Sequence, residues 1–157
     1  NRHLRYWLHL ILGRVFMTEI DSPFDRYKEE IDKLKKETAI IIVDFHAEAT
    51  SEKCALGWYA DGEASLVYGT HTHVLTADNR ILPGGTGYIS DIGMSGGFNG
   101  IIGMKKEAIL EKFLTSMPKK FEVCDENIRI NGIEADIDDK TGKCLTINRV
   151  DFGINEI

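Results

Sequence analysis

The chain has 157 residues, of which 19 are Lys or Arg and 25 are Asp or Glu, so its formal net charge is −6. This acidic balance argues against a basic nucleic-acid-binding surface, and we expect no DNA partner. Hydrophobic residues make up 43% and charged residues 28% of the chain, which is ordinary globular usage and predicts one domain with its own core.

The cysteine pattern and the apolar segments favour a cytoplasmic protein. Cys54, Cys124 and Cys144 are an odd number of cysteines without close spacing, which fits neither a disulfide framework nor a paired-cysteine zinc site. The most apolar stretch, residues 6–17, is shorter than the roughly 20 residues of a membrane span and lacks a signal-peptide cleavage pattern. We therefore expect reduced thiols and no membrane partner.

A strand and a helix are predicted first along the chain. Residues 8–17 form a nearly continuous apolar run, which suits a strand buried on both faces better than a surface helix. Ser22 and Pro23 then provide an N-cap and a first helical position. Apolar side chains follow at spacings of three and four, which predicts an amphipathic helix. These side chains are Phe24, Tyr27, Ile31 and Leu34.

Two further apolar runs end in polar residues. Residues 39–43 are all apolar and precede residues 44–46, which read Asp-Phe-His, and residues 64–68 precede the segment Gly-Thr-His-Thr-His at 69–73. A buried strand that runs into polar residues is typical of the carboxyl edge of an α/β sheet, where ligands gather. We therefore expect the two histidine-containing segments at equivalent ends of neighbouring strands.

A helix separates these two strands, and a glycine-rich region follows them. Thr50 or Ser51 is predicted to cap the helix, which Gly62 ends. The glycine-rich region surrounds a short predicted strand at residues 88–90 and is expected to form loops close to the site.

The last third of the chain predicts one helix and several antiparallel strands. Residues 105–117 form an amphipathic helix that buries Ile109, Phe113 and Met117, and Pro118 ends it. The strands that follow are expected to be joined by tight turns. They are residues 121–123, 127–130, 133–137 and 144–150, with turns at 131–132 and 139–142.

Three histidines make the strongest chemical signal. His71 and His73 alternate along the chain, so both imidazoles can face one side of an extended segment, and imidazole is a common ligand for divalent metals. His46 lies 25 residues before His71, and a helical crossover between parallel strands would bring the two strand ends together. A solvated His-Thr-His loop is the alternative. Asp44 and Glu48 could orient the metal-binding histidines as hydrogen-bond acceptors. They could equally be an ordinary strand-end carboxylate and a helix-cap carboxylate.

Other chemical motifs are weaker. The chain contains no Gly-x-Gly-x-x-Gly or Walker phosphate loop and no Gly-x-Ser-x-Gly elbow. Cys54 on an amphipathic helix is better explained by packing than by nucleophilic chemistry. Asp91 could enter the pocket, but its glycine-rich surroundings favour a role in stabilising a turn.

The sequence resembles a known family in three runs, residues 44–53, 69–74 and 76–86. These runs are similar to those of the YmdB-like metallophosphoesterases, bacterial enzymes related to the calcineurin-like phosphoesterases, and the resemblance extends from about residue 12 through residue 123. It implies a layered α/β/β/α sandwich with two divalent metals, Fe, Mn, Zn or Mg, at the carboxyl ends of the strands. It also implies that a 2′,3′-cyclic nucleotide is opened at its 2′ ester.

The same resemblance assigns metal ligands but no catalytic residue. It implies that His46 and His71 hold one metal and that His73 holds the other. The family's metal-binding carboxylates, its Asn ligand and its proton-donating His belong to an N-terminal part that has no match in this sequence. We therefore expect residues 1–157 to be a single partial domain, the C-terminal portion of a longer protein. Such a chain is expected to be inactive alone and to form a homo-oligomer through exposed sheet edges.

Two other hypotheses remain open at this stage. The chain could be a non-catalytic binding or assembly module with a vestigial metal site. It could also be a single-ion hydrolase in which His46, His71 and His73 bind one zinc ion and leave a fourth position open. The mass of the native protein and the number of metal ions per chain distinguish these hypotheses from the two-metal enzyme.

Overall fold

Strands and helices alternate in the first half of the molecule, and the second half is mostly strand. The computed structural model describes residues 6–18 and 20–154. The elements are β1 (Tyr6–Leu12), α1 (Pro23–Leu34), β2 (Ile40–His46), α2 (Thr50–Tyr59), β3 (Leu66–Thr70), β4 (Arg80–Ile81), β5 (Gly87–Ile89), β6 (Ser95–Gly97), α3 (Lys106–Thr115), β7 (Ile128–Ile137) and β8 (Cys144–Gly153).

The strands form two sheets. The larger sheet has the order β1-β2-β3-β5-β4, in which β4 alone is antiparallel to its neighbour. The smaller sheet, β6-β7-β8, is antiparallel. The helices α1 and α2 are the crossovers that parallel pairing of β1, β2 and β3 requires, and they place the carboxyl ends of these strands at one edge.

Alternation along β2 separates two hydrophobic clusters. Ile41, Val43 and Phe45 are buried in the cluster that includes α1 and α2 residues. Ile42 packs on the opposite side, in a cluster that joins the larger sheet to Cys144 and other residues of the smaller sheet. The result is a layer of helices, a mixed parallel sheet and an antiparallel sheet, which confirms the predicted α/β sandwich class.

The first helix forms as predicted. The Ser22 hydroxyl accepts a hydrogen bond from the Asp25 amide at 3.4 Å, and Pro23 occupies the first turn. Tyr27 and Ile31 are buried against the larger sheet, at the spacing that defined the apolar face. Local cap chemistry and apolar spacing therefore agree with the tertiary packing here.

The first strand differs from its prediction. The sequence predicts a strand buried on both faces over residues 8–17, but β1 ends at Leu12 and most of its side chains are exposed. Ile11 is the buried apolar side chain of this strand. The reason is position, because β1 is the edge strand of the sheet and has no partner beyond β2 among the described residues.

The second helix begins without the predicted side-chain cap. Thr50 is its first helical residue, and Ala49 is the N-cap residue, which makes no side-chain cap hydrogen bond. The prediction that Thr50 or Ser51 caps the helix was therefore wrong. Gly62 has a φ of 80° three residues beyond the last helical residue, where a left-handed conformation turns the chain back toward the sheet.

The third helix is much less buried than its pattern predicts. Ile109 is buried, but Phe113 is 75% exposed, and Met117, which lies beyond the helix, is 60% exposed. The prediction that this helix buries all three residues was wrong. The spacing defines an apolar face correctly, but the described residues supply no layer that covers it.

The predicted hairpin turn at residues 131–132 was also wrong. Asn131 and Gly132 lie inside the ten-residue strand β7 and pair with Asp151 and Val150 of β8. The pairing of β7 with β8 outweighs the preference of the Asn-Gly sequence for a turn. The turn predicted at residues 139–142 is present, where the Asp138 carboxylate accepts backbone hydrogen bonds at the start of the loop.

The cysteines are free, as expected. Cys124 and Cys144 are buried, and Cys54 packs against the core next to the Tyr88 hydroxyl, 3.4 Å from its sulfur. This arrangement confirms the packing interpretation of Cys54. Within residues 6–18 and 20–154, no helix is both long enough and apolar enough to cross a membrane.

Candidate metal centre

The two predicted histidine segments meet at the carboxyl edge of the larger sheet. His46, the last residue of β2, lies opposite Thr70, the last residue of β3, and Asp44 lies opposite Tyr68. His71 follows Thr70 directly in the chain. Parallel pairing therefore brings the segments side by side, as the strand-end argument predicts.

A chain of hydrogen bonds fixes the His46 ring. Nδ1 of His46 lies 3.0 Å from the Thr70 hydroxyl, which donates to Oδ1 of Asp44 at 2.8 Å. A hydroxyl carries one proton and a carboxylate only accepts, so the Thr70 oxygen must accept the Nδ1 hydrogen of His46. Nε2 of the neutral His46 ring is then left with its lone pair available.

The lone pair of His46 faces a second imidazole. Nδ1 of His71 lies 3.1 Å from Nε2 of His46, and the ring planes are 81° apart. On its other side, Nε2 of His71 lies 3.0 Å from Oε2 of Glu48. When Glu48 accepts the Nε2 hydrogen, Nδ1 of a neutral His71 ring also presents a lone pair to the space between the rings.

This pair of nitrogens fits two ligands of one cation. Metal–imidazole bonds are about 2.0–2.1 Å long, so two nitrogens on one tetrahedral ion lie about 3.3 Å apart. The observed separation of 3.1 Å between His46 and His71 is close to that value. Both outer ring nitrogens are held by oxygen partners, which is the usual way in which ligand histidines are oriented.

The third histidine points elsewhere. His73 is exposed, and its Nδ1 lies 3.1 Å from the carbonyl oxygen of Ile102, which can only accept a hydrogen bond. His71 and His73 have φ angles of 99° and 65°, so the segment is not extended and alternation does not bring their rings to one side. No group of three or more His, Cys, Asp or Glu side chains in the described parts of the chain could hold a metal ion. The assignment of all three histidines to metals therefore remains a prediction.

A buried ion pair holds the segment between the two histidines. Asp91 is fully buried, and its Oδ2 lies 2.8 Å from Nζ of Lys53, which is 2% exposed. The same oxygen accepts hydrogen bonds from the backbone amide and the hydroxyl of Thr72, at 3.0 and 2.6 Å. Oδ1 accepts from the Gly93 amide at 2.9 Å. Asp91 thus anchors the histidine segment, a larger role than the turn stabilisation expected from the sequence.

Lys53 is the residue of this pair that sequence reasoning missed. It precedes the buried residues Leu56 and Gly57 by three and four positions, a spacing that places it on the buried face of α2. A buried lysine needs a charged partner. The position of Lys53 on the buried face of α2 was therefore a signal, present in the sequence, that a carboxylate partner lies in the interior.

Glu52, a buried carboxylate on α2, ties the end of β1 to the same edge. Glu52 is buried, and its two oxygens lie 3.1 and 3.3 Å from the amides of Arg14 and Val15. The Gly13 amide donates to the His46 carbonyl at 2.9 Å. The segment after β1 is therefore held directly beside the histidine pair.

The side chain of Tyr68 also forms a hydrogen bond with Asp44. Burial, together with the negative charge of Asp44 and a hydrogen bond to it, raises the pKa of Tyr68 to about 12. Tyr68 therefore keeps its proton at neutral pH and remains a hydrogen-bond donor. Asp44 is the point at which Tyr68 and the Thr70–His46 chain converge.

Known proteins match both the sequence and the fold. A 2′,3′-cyclic-nucleotide 2′-phosphodiesterase of Bacillus subtilis is 53% identical over 138 residues, which cover 88% of this chain and 52% of that protein. A crystal structure of a hypothetical protein from Thermus thermophilus superposes with a TM-score of 0.88 at 37% identity, covering 94% of this chain and 57% of that one. The crystal structure of a novel phosphatase from Mycoplasma pneumoniae gives a TM-score of 0.84 at 36% identity, covering 93% and 52%.

These matches concern part of each relative. The chain spans about half the length of the curated relatives that it matches, 52% and 44% for two of them. A family model described as YmdB-like protein matches residues 2–150, which is nearly the whole chain. This chain belongs to the YmdB-like family.

Proposed function

We propose that this chain supplies the histidine part of a metal-dependent phosphodiesterase centre that opens 2′,3′-cyclic nucleotides at the 2′ ester. The name of the Bacillus subtilis relative supports this substrate class, at 53% identity. The observation that carries the proposal is the facing pair of nitrogens on His46 and His71, 3.1 Å apart, each on a ring whose outer nitrogen has an oxygen partner.

Each residue of the centre has a distinct role in this proposal. Nε2 of His46 and Nδ1 of His71 hold one divalent ion, and His73 holds a second. The two ions, when bound, supply the positive charge that activates water and stabilises the phosphate oxygens. Thr70 fixes the ring and tautomer of His46, and Glu48 does the same for His71.

We further propose that the remaining metal ligands come from outside this chain, so that residues 1–157 alone are inactive. Histidines without carboxylate ligands leave the positive charge of two ions uncompensated, and the described residues add no third ligand to the pair. We also propose a cytoplasmic protein that assembles with further copies. The outer edge of β1, which pairs with no strand in the described part of the chain, and the exposed side chains of Tyr6, Leu8 and Leu10 support association.

The direct test restores the part that this chain does not cover. We would join the chain to the uncovered part of the Bacillus subtilis relative and assay hydrolysis of 2′,3′-cyclic AMP with added Mn²⁺. The chimera should hydrolyse the substrate, the isolated chain should not, and His71→Ala should abolish turnover by the chimera. His9→Ala, a histidine of β1 outside the centre, serves as the matched control and should retain activity.

The metal content of the chimera separates the other hypotheses. Two ions per chain with turnover support the proposal, whereas one ion with turnover supports the single-ion hydrolase. A folded chimera that binds metal and yet has no activity supports a binding or assembly module. Turnover that survives His71→Ala would contradict the role given to the histidine pair.

A further inference from the structure

A pocket of about 350 Å³ is lined by His73, and neither His46 nor His71 is among its lining residues. We call it the His73 pocket. It lies between the histidine segment, the loops around β6 and the strands β7 and β8. The lining residues used below are His73, Met94, Phe98, Ile102, Asn131 and Arg149.

The walls of this pocket combine apolar and polar groups. Met94, Phe98 and Ile102 supply apolar surface, and Phe98 is partly exposed, with no aromatic partner among the described residues. The Nδ2 atom of Asn131 is enclosed and has no hydrogen-bond partner among residues 6–18 and 20–154. The volume of the pocket is within the range of small-ligand sites, and a few polar groups in an apolar wall are typical of them.

The charge of the pocket suits an anion. The Arg149 side chain makes no ion pair or hydrogen bond with any described residue. The carboxylate of Asp151, which also lines the pocket, is already paired with Nε of Arg129 at 2.8 Å. The Arg149 guanidinium therefore lines this space without a partner from residues 6–18 and 20–154, in a chain whose formal net charge is −6.

The position of His73 connects the pocket to the metal centre. Two residues of chain span at most about 7 Å, so the His73 backbone lies within that distance of His71. This is comparable with the separation of phosphate and base in a nucleotide. A ligand whose phosphate lies at the histidine pair can therefore extend past His73 into the pocket.

We propose that the His73 pocket binds the nucleoside portion of the substrate, with the base against Phe98 and with the phosphate at the mouth of the pocket, between Arg149 and the histidine pair. The proposal rests on the proposed function for the reaction, and it adds the residues that recognise the rest of the substrate. Aromatic stacking accepts any base, while a guanidinium selects for the phosphate.

The first test measures binding without metal or turnover. The isotopically labelled 157-residue chain is titrated in EDTA with adenosine 3′-monophosphate, adenosine and inorganic phosphate, and backbone amide shifts are recorded. The nucleotide should shift the signals of Phe98, Ile102 and Arg149. Adenosine should shift the same signals with weaker affinity, and inorganic phosphate should leave Phe98 unchanged.

Two variants assign the contacts. Phe98→Leu keeps an apolar side chain but removes the aromatic face, and it should weaken binding of both nucleotide and adenosine by about 10-fold. Arg149→Gln should weaken binding of the nucleotide alone. Phe113→Leu and Arg26→Gln, on the exposed faces of α3 and α1, are the matched controls and should bind normally. Unchanged shifts on nucleotide addition, or equal affinity in Phe98→Leu, would overturn the proposal.

Activity of the chimera separates this proposal from the proposed function. In an active chimera, Phe98→Leu should raise KM with little change in kcat, because the contact is made equally in substrate and transition state. If the chimera is inactive but the nucleotide still binds at Phe98, the proposed function fails and the pocket assignment stands. An active chimera with an unchanged KM in Phe98→Leu removes the pocket assignment and leaves the proposed function intact.

Discussion

His46 ends β2, and His71 and His73 follow the end of β3. The His46–His71 pair and His73 are nevertheless held in different ways. Each ring of the pair has an oxygen partner on its outer nitrogen and an imidazole nitrogen on its inner side. His73 is exposed, and among the described residues its side chain has one hydrogen-bond partner, the Ile102 carbonyl. The pair is therefore positioned before any ligand arrives, whereas His73 is positioned by the loop that carries it.

This difference comes from the backbone. His46 ends a strand, so pairing with β3 fixes its direction. His71 and His73 both have positive φ, an uncommon conformation for residues with a side chain. Such conformations persist when the surroundings determine them, and here Asp91 and Lys53 hold the intervening Thr72.

The largest expected effect follows from removing the charge of Asp91. Asp91→Asn leaves the Lys53 ammonium buried without its partner, which should lower the free energy of unfolding by about 3–5 kcal/mol. Urea denaturation followed by circular dichroism measures this change. Asp32→Asn, which removes an exposed partner of Lys28, is the matched control and should change stability little.

A double variant sharpens this first prediction. Adding Lys53→Met to Asp91→Asn removes the unpaired charge and should recover part of the lost stability. The segment around Thr72 should still be poorly held, because Asn presents no carboxylate to its amide and hydroxyl. If Asp91→Asn costs no more stability than Asp32→Asn, the buried pair does not support the segment.

The second prediction compares the histidines directly. His46→Ala should weaken Zn²⁺ binding to the isolated chain by about 100-fold, since loss of a ligand costs at least as much as loss of a group that orients it. His73→Ala should weaken binding to the same site far less, because the described residues place no third His, Cys, Asp or Glu side chain where it could share an ion with the pair. Isothermal titration calorimetry measures both affinities. Equal losses would mean that the three rings bind one ion.

The third prediction concerns the partner of His46. Thr70→Val keeps the size of the side chain but removes the hydroxyl that joins His46 to Asp44, and it should weaken Zn²⁺ binding by about 10-fold to 100-fold. Thr70→Ser keeps the hydroxyl and should retain most of the affinity. If the two variants bind Zn²⁺ equally, the hydroxyl does not orient the ring.

The strand-end position of the site could be read from the sequence. The buried runs of β2 and β3 and the crossover helix between them place His46 and His71 together by topology alone, and the structure brings these two side by side. The cap at Ser22 and the apolar face of α1 were equally local signals. These features are predictable because a short stretch of residues determines each of them.

Features that depend on distant contacts could not be read in this way. Nothing in the spacing of His71 and His73 reveals that both residues take positive φ, because the cause is a carboxylate nearly 20 residues away in the chain. The Asn131-Gly132 sequence favours a tight turn, but both residues lie inside β7, where they pair with β8. Burial of Phe113 was overestimated because spacing defines a face, not the layer that covers it.

The smallest expected effect tests the partner of His71. Glu48 is 47% exposed, whereas Thr70 is part of a more enclosed hydrogen-bonded chain. Water can replace an exposed carboxylate as an acceptor, so Glu48→Ala should weaken Zn²⁺ binding by less than about 10-fold. Glu126→Ala, at an exposed position outside the centre, is the control for the loss of one negative charge. A loss as large as that of Thr70→Val would mean that the charge of Glu48, and not only its hydrogen bond, contributes to holding the cation.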